Sequence, residues 1–147
     1  MTYRPYDALV ANSASKGVKF RIQNSSGSSI SAFQPVASDG SGKAKSIDVS
    51  IEAEAMKIIG VSAETIADGS YGYVYSQGKL ENLTTSLTFG DYVYVSKTGS
   101  LTSTRPSEGV GGFVSGDFVV RVGLIVQNQA IPSQKDLLIN IEIVGQI

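Results

Sequence analysis

The side chains of this chain that can do chemistry are carboxylates, hydroxyls and lysines, because its 147 residues include neither histidine nor cysteine. Glu52, Glu54, Asp91 and Asp117 supply carboxylates for an acid pair of the kind that hydrolyses glycosides. Asp91 and Asp117, however, each follow a glycine and precede an apolar run, a position that turn formation explains. A serine nucleophile would need a lysine as its base, and the spacing of serines and lysines in the sequence indicates no such pair. We therefore expect a protein that is not an enzyme.

Two glycine-rich segments resemble nucleotide-binding loops only in part. Residues 39–43 end in Gly-Lys, but Ala37 and Ala44 stand where a phosphate-binding loop needs a glycine and a hydroxyl. Residues 109–112 lack the third glycine of a dinucleotide fingerprint, because Val114 takes its place. No Asp-x-Asp-x-Asp-Gly string indicates a calcium loop. The sequence predicts no cofactor and no metal.

The composition predicts a folded domain with no strong electrostatic attraction for a partner. Hydrophobic residues make up 41% of the chain and charged residues 17%, enough apolar material for a core. Twelve basic and thirteen acidic residues give a net charge of -1, so we expect no nucleic-acid partner. Residues 1–6 lack the apolar run of a signal peptide, and no run approaches the roughly 20 residues of a membrane helix. We expect synthesis in a cytoplasm and no membrane partner.

Alternating apolar residues between glycine-marked turns predict an all-β domain, a small barrel or a sandwich. Residues 52–57 are the only stretch that favours a helix, and they make barely two turns. A tight hairpin is predicted at Gln77-Gly78. The predicted strands cover residues 18–22, 30–36, 46–51, 58–61, 72–76, 79–83, 91–96, 100–102, 118–126 and 137–144.

The chain is expected to form one β domain, residues 17–147, preceded by an arm, residues 1–16. Pro5 and the turn-forming residues 12–15 argue against a regular element in the arm. The arm is either a frayed terminus or a segment that becomes ordered against a neighbouring subunit. Residues 127–147 are predicted to be a C-terminal extension that ends in an apolar strand.

The seven tyrosines fall partly into rows. Tyr71, Tyr73 and Tyr75 share one strand face, and Tyr92 and Tyr94 share another. Such rows suit cross-strand pairs or an interface, and they also suit a sugar-binding platform.

Three short motifs carry a family resemblance: residues 90–94 (Gly-Asp-Tyr-Val-Tyr), residues 99–102 (Gly-Ser-Leu-Thr) and residues 121–123 (Arg-Val-Gly). With the strands around them, over residues 17–126, they resemble the capsid decoration (cement) proteins of tailed bacteriophages. The resemblance implies a β-barrel-like or β-tulip-like subunit, often trimeric, seated on the junctions between major capsid proteins. It therefore implies a virion location on the capsid surface, with the major capsid protein and further copies of the chain as partners.

The arm and the C-terminal extension go beyond what such a domain needs, so we expect them to hold interface residues, together with the loop at residues 105–116. A head-fibre, collar, tail or baseplate component, a carbohydrate-binding β module and a hydrolase remain alternatives. The candidate interface residues are Tyr3, Arg4, Tyr6, Arg105, Phe113, Leu137, Ile139 and Ile141.

Overall fold

The computed structural model describes residues 17–147, and all nine strands in that range join one antiparallel sheet. The sheet curls into a half-barrel, which confirms the all-β prediction. One short helix, α1 (Glu52–Met56), lies where the sequence favours helix. The strands are β1 (Val18–Gln23), β2 (Pro35–Ser38), β3 (Ala44–Ser46), β4 (Ile58–Ser62), β5 (Tyr71–Leu80), β6 (Tyr92–Val95), β7 (Leu101–Thr102), β8 (Phe118–Gln127) and β9 (Lys135–Gln146).

The strand order is β3-β2-β4-β5-β9-β8-β6-β7, and β1 pairs with β5 outside this path. The long strand β5 connects the two parts of the sheet because it pairs with β1 and β4 near its start and with β9 near its end. No helix within residues 17–147 is long and apolar enough to cross a membrane.

The prediction of a hairpin at Gln77-Gly78 is wrong, because β5 runs through both residues. Gly78 has a φ of 77°, a conformation that glycine adopts without the steric cost of a side chain. At this residue the partner of β5 changes to β9, with Gly78 paired to Ile139. The glycine therefore marks an irregularity within a strand instead of a chain reversal.

The second and third predicted strands are shifted along the chain. Ile30 forms only an isolated bridge with Ile66, and β2 begins at Pro35. The strand predicted over residues 46–51 is replaced by β3, which ends at Ser46.

Two clusters of buried apolar side chains form the core of the described residues. The larger one lies mainly under β5, β6, β8 and β9 and includes Val93, Val122 and Leu137. The smaller cluster consists of Ile30, Val36, Ala44, Ile66 and Val74.

Candidate interaction surfaces

Of the acidic residues that suggested hydrolytic chemistry, Glu54, Asp91 and Asp117 stabilise local structure, and Glu52 is exposed. Asp91 accepts hydrogen bonds from the backbone N–H and the hydroxyl of Thr88, at 3.0 and 2.9 Å, and so closes the turn before β6. These bonds hold the pKa of Asp91 below its usual value, and the bond from the backbone N–H has the larger effect. Glu54 is buried, lies 3.1 Å from Lys45 Nζ and accepts a hydrogen bond from the backbone of Asp48. Among residues 17–147 no group of three or more acidic side chains is placed to hold a metal ion.

Asp117 is a buried carboxylate with a cationic partner. Burial alone raises its pKa, but the hydrogen bond from Lys97 Nζ at 2.6 Å, the N–H of Val114 at 2.9 Å and the charge of Lys97 together outweigh it. The pKa of Asp117 is therefore lowered, and its charge is held by the structure. Such a carboxylate is unsuited to proton transfer near neutral pH.

The candidate interface residues do not come together in one surface. Tyr3, Arg4 and Tyr6 lie outside the described residues. Arg105 is exposed and lies over the Tyr94 ring, 6.0 Å from its centroid. Ile141 is half-buried on the second half of β9.

Phe113, Leu137 and Ile139 are core residues, which corrects their assignment to an interface. All three belong to the larger buried cluster, and none is more than 4% exposed. β9 pairs with β5 through Leu137 and Ile139 and with β8 along most of its length. The apolar face that the sequence shows on this strand is thus covered by the subunit itself.

The ribbon of β1 and β5 carries an exposed face of alternating cations and tyrosines. Lys19 Nζ lies 4.5 Å from the centroid of the Tyr73 ring, and the Arg21 guanidinium lies 5.8 Å from the rings of both Tyr71 and Tyr73. Tyr71 is 59% exposed and Tyr73 38% exposed. We call these four residues the ribbon face. Its side chains hold one another in position through cation–π contacts while they remain open to solvent.

Tyr92 and Tyr94, predicted to share a face, differ in exposure. Tyr94 is 5% exposed, and Arg105 covers its ring, whereas Tyr92 is 54% exposed. Arg121 lies 5.2 Å from the centroid of the Tyr92 ring. The solvent-accessible ring of this row is therefore that of Tyr92.

A groove opens where β4 and β9 diverge from β5. Ser76 and Gln77 of β5 line it, together with apolar side chains from both sides. Within residues 17–147 the second half of β9 pairs only with β8, so its other edge faces this groove. We call it the fork groove; its apolar lining residues are Met56, Ile58, Ile59, Ile141 and Ile143.

Sequence reasoning found the tyrosines and Ile141 but missed Met56, Ile58 and Ile59. The signal for the ribbon face was present, because Lys19 and Arg21 alternate with apolar residues opposite a tyrosine row. The fork groove has no such signal, since it depends on where two strands that are distant in the sequence separate.

No protein-family model matches the chain, and the search of curated proteins finds no significant match.

Proposed function

We propose that this protein is a structural subunit of a tailed-phage virion that decorates the capsid and stabilises the major capsid protein lattice without catalysing a reaction. The ribbon face is the observation that carries the proposal. Tyrosine and arginine are enriched in the energetically dominant centres of protein interfaces, and here cation–π contacts pre-position them on the sheet. In the proposed assembly the protein is made in the host cytoplasm and acts on the virion surface as a homotrimer.

The fork groove supports the same role in a different way. Apolar side chains line it, and the edge of β9 offers backbone groups to an extended segment. Addition of a strand to such an edge combines backbone hydrogen bonds with side-chain pockets. A segment of a capsid protein or of a neighbouring copy would suit this surface.

The contact elements in this proposal are the arm at residues 1–16, the ribbon face, the fork groove with Ile141, and the exposed part of the loop at residues 105–116. Three copies on a local three-fold axis would bind together. Their combined affinity would exceed that of one copy by roughly 10²–10⁴ when the geometry matches.

The test is attachment to capsids of the encoding phage that lack the protein. Wild-type protein is expected to bind in sedimentation assays and to appear on the shell by electron cryomicroscopy. Deletion of residues 1–16, or Arg21→Gln combined with Tyr73→Ala, is expected to leave a folded oligomer that binds much more weakly. Tyr92→Ala is the matched control, because it removes an exposed tyrosine from another face.

Unchanged attachment of both variants would exclude the arm and the ribbon face as contacts. If the protein is located on the collar, head fibre, tail or baseplate, its position in the virion is that structure and not the capsid surface. Absence of the protein from virions would overturn the proposal.

A further inference from the structure

The solvent-facing side of β6, β8 and β9 holds a shallow depression of about 250 Å³. Its floor is a row of three side chains on neighbouring strands, since Tyr92 pairs with Leu124 and Leu124 pairs with Leu138. Tyr92 and Leu138, on either side of Leu124, are 54% and 39% exposed, so the row presents an aromatic ring and an aliphatic side chain to solvent. This floor offers apolar contact to a flat ligand.

Beside this row the depression is lined by the backbone of Gly123. This glycine lies on β8 between Val93 of β6 and Ile139 of β9, and it lines the depression without a side chain. A Cβ atom at this position would come within 2.0 Å of the Leu138 carbonyl oxygen. The close approach of β8 and β9 therefore requires glycine here.

Polar side chains border the floor, and one of them packs against a face of the Tyr92 ring. The Arg121 guanidinium lies over the Tyr92 ring, 5.2 Å from its centroid, and forms an ion pair with Glu142 of β9. Asn140 also lines the depression and is exposed. Together these groups provide planar hydrogen-bond donors, a carboxylate acceptor and an amide within one small area.

We propose that this depression, lined by Tyr92, Arg121, Leu138 and Asn140, binds a neutral pyranose unit of a polysaccharide. A pyranose ring has an apolar C–H face that fits an aromatic ring and a rim of hydroxyl groups that both donate and accept hydrogen bonds. The pairing of Arg121 with Glu142 leaves the site without net charge, which favours a neutral sugar over an anionic one. The site is mostly apolar with a few convergent polar groups, as in small-ligand sites in general.

The inference does not depend on the proposed virion function. Sugar binding is measured on the isolated protein, and capsid attachment is measured on particles, so either can fail without the other. The ribbon face and the depression also lie on different strands, so their variants separate the two activities.

The experiment is a titration of the full-length, ¹⁵N-labelled protein with maltohexaose, cellohexaose, mannohexaose and chitohexaose, followed by two-dimensional NMR. At least one of these neutral oligosaccharides is expected to shift the amide resonances of residues 92, 121–124 and 138–140 with millimolar affinity. Tyr92→Ala is expected to weaken this binding by roughly tenfold, which corresponds to about 1.4 kcal/mol. Arg121→Lys, which keeps the charge but removes the planar fork, is expected to weaken it as well.

Tyr73→Ala is the matched control, since it removes an exposed tyrosine from the ribbon face and is expected to leave sugar binding unchanged. The proposal is overturned if none of the four oligosaccharides shifts these resonances, or if Tyr92→Ala binds as the wild type does. An equal loss in Tyr73→Ala would also overturn it. Spectra of the free variants establish that each one is folded.

Discussion

Gly123 and Gly60 are residues whose lack of a side chain the sheet requires. At Gly123 a Cβ atom would meet the carbonyl oxygen of Leu138 at 2.0 Å, and at Gly60 it would meet that of Tyr75 at 2.1 Å. Both obstacles are backbone atoms of a paired strand, so they cannot move aside without separating the strands. These glycines therefore set the local geometry of β8 and β4.

Replacement of Gly123 by alanine is expected to lower the free energy of unfolding by about 2 kcal/mol or more, because overpacking against backbone distorts the pairing of β8 and β9. Gly145→Ala is the matched control: Gly145 lies on β9 in the same strand pair, but its Cβ would meet no atom within 4 Å. Urea denaturation of the two variants measures the difference. Equal stabilities would mean that β8 and β9 do not approach as closely as described.

The Lys97–Asp117 pair predicts how stability depends on pH. The pKa of Asp117 is lowered in the folded protein relative to the usual value near 3.9 of an unfolded chain. A carboxyl group of this kind contributes its full stabilisation above the unfolded pKa and loses it as the pH falls through the folded pKa. The free energy of unfolding should therefore be nearly constant from pH 7 to about 5 as far as this group is concerned, and should fall below pH 4.

Lys97→Met is expected to cost about 1–3 kcal/mol at pH 7, because it leaves the buried Asp117 carboxylate without its cation. The cost should shrink at pH 3, because without Lys97 the buried Asp117 of the folded variant can take up a proton there, which removes the unpaired charge. Lys57→Met, at an exposed lysine, is the control and should change little at either pH. A cost for Lys97→Met that is the same at pH 7 and pH 3 would show that the ion pair does not hold the charge of Asp117.

At the scale of elements, β9 is the strand whose role differs most from the sequence interpretation. Its apolar alternation correctly predicts a strand, but alternation indicates only that one face is covered and does not identify the element that covers it. Here β5 and β8 pair with it, and the larger cluster covers Leu137 and Ile139. For the same reason Phe113, in a glycine-rich loop, was expected at an interface although its ring belongs to the core.

Two neighbouring residues of β9 test this role. Leu137 is completely buried, and Leu137→Ala is expected to lower the free energy of unfolding by about 2–5 kcal/mol, as buried leucine truncations do. Leu138 points to solvent, is 39% exposed, and Leu138→Ala should cost less than about 1 kcal/mol. Thermal or urea denaturation provides the values. If Leu137→Ala instead weakened self-association and left the subunit stable, β9 would be an interface strand after all.

Local patterns were sufficient to locate β1, β6, β8 and β9, although a register shift beside Gly123 interrupts the alternation of β8. They were insufficient at Gln77-Gly78, which has the sequence of a turn and the structure of a continuous strand. The tyrosine rows showed candidate surfaces, but only the packing distinguishes the covered Tyr94 from the open Tyr92. The fork groove and the depression beside Gly123 depend on strand neighbours distant in sequence, which periodicity does not report.

At the scale of the whole molecule, β5 determines whether residues 17–147 behave as one unit. It contributes Val74 to the smaller cluster and Leu80 to the larger one, so both clusters are attached to the same strand. If either cluster opened alone, the strand pairs of β5 with β1 and β4 or with β9 would have to break within a continuous strand. Such coupling favours a single cooperative unfolding transition over separate opening of the two clusters.

Val74→Ala is therefore expected to shift the urea midpoint of the entire molecule, although it removes only two methyl groups from the smaller cluster. The loss should be about 1–3 kcal/mol. The loss in the free energy of unfolding should be the same whether it is measured at the amide of Val36, in the smaller cluster, or at the amide of Val122, in the larger one. Residue-resolved NMR across the urea transition makes this comparison. Two separate midpoints, with Val36 unfolding at lower urea than Val122, would divide residues 17–147 into two folding units and contradict the prediction of one domain.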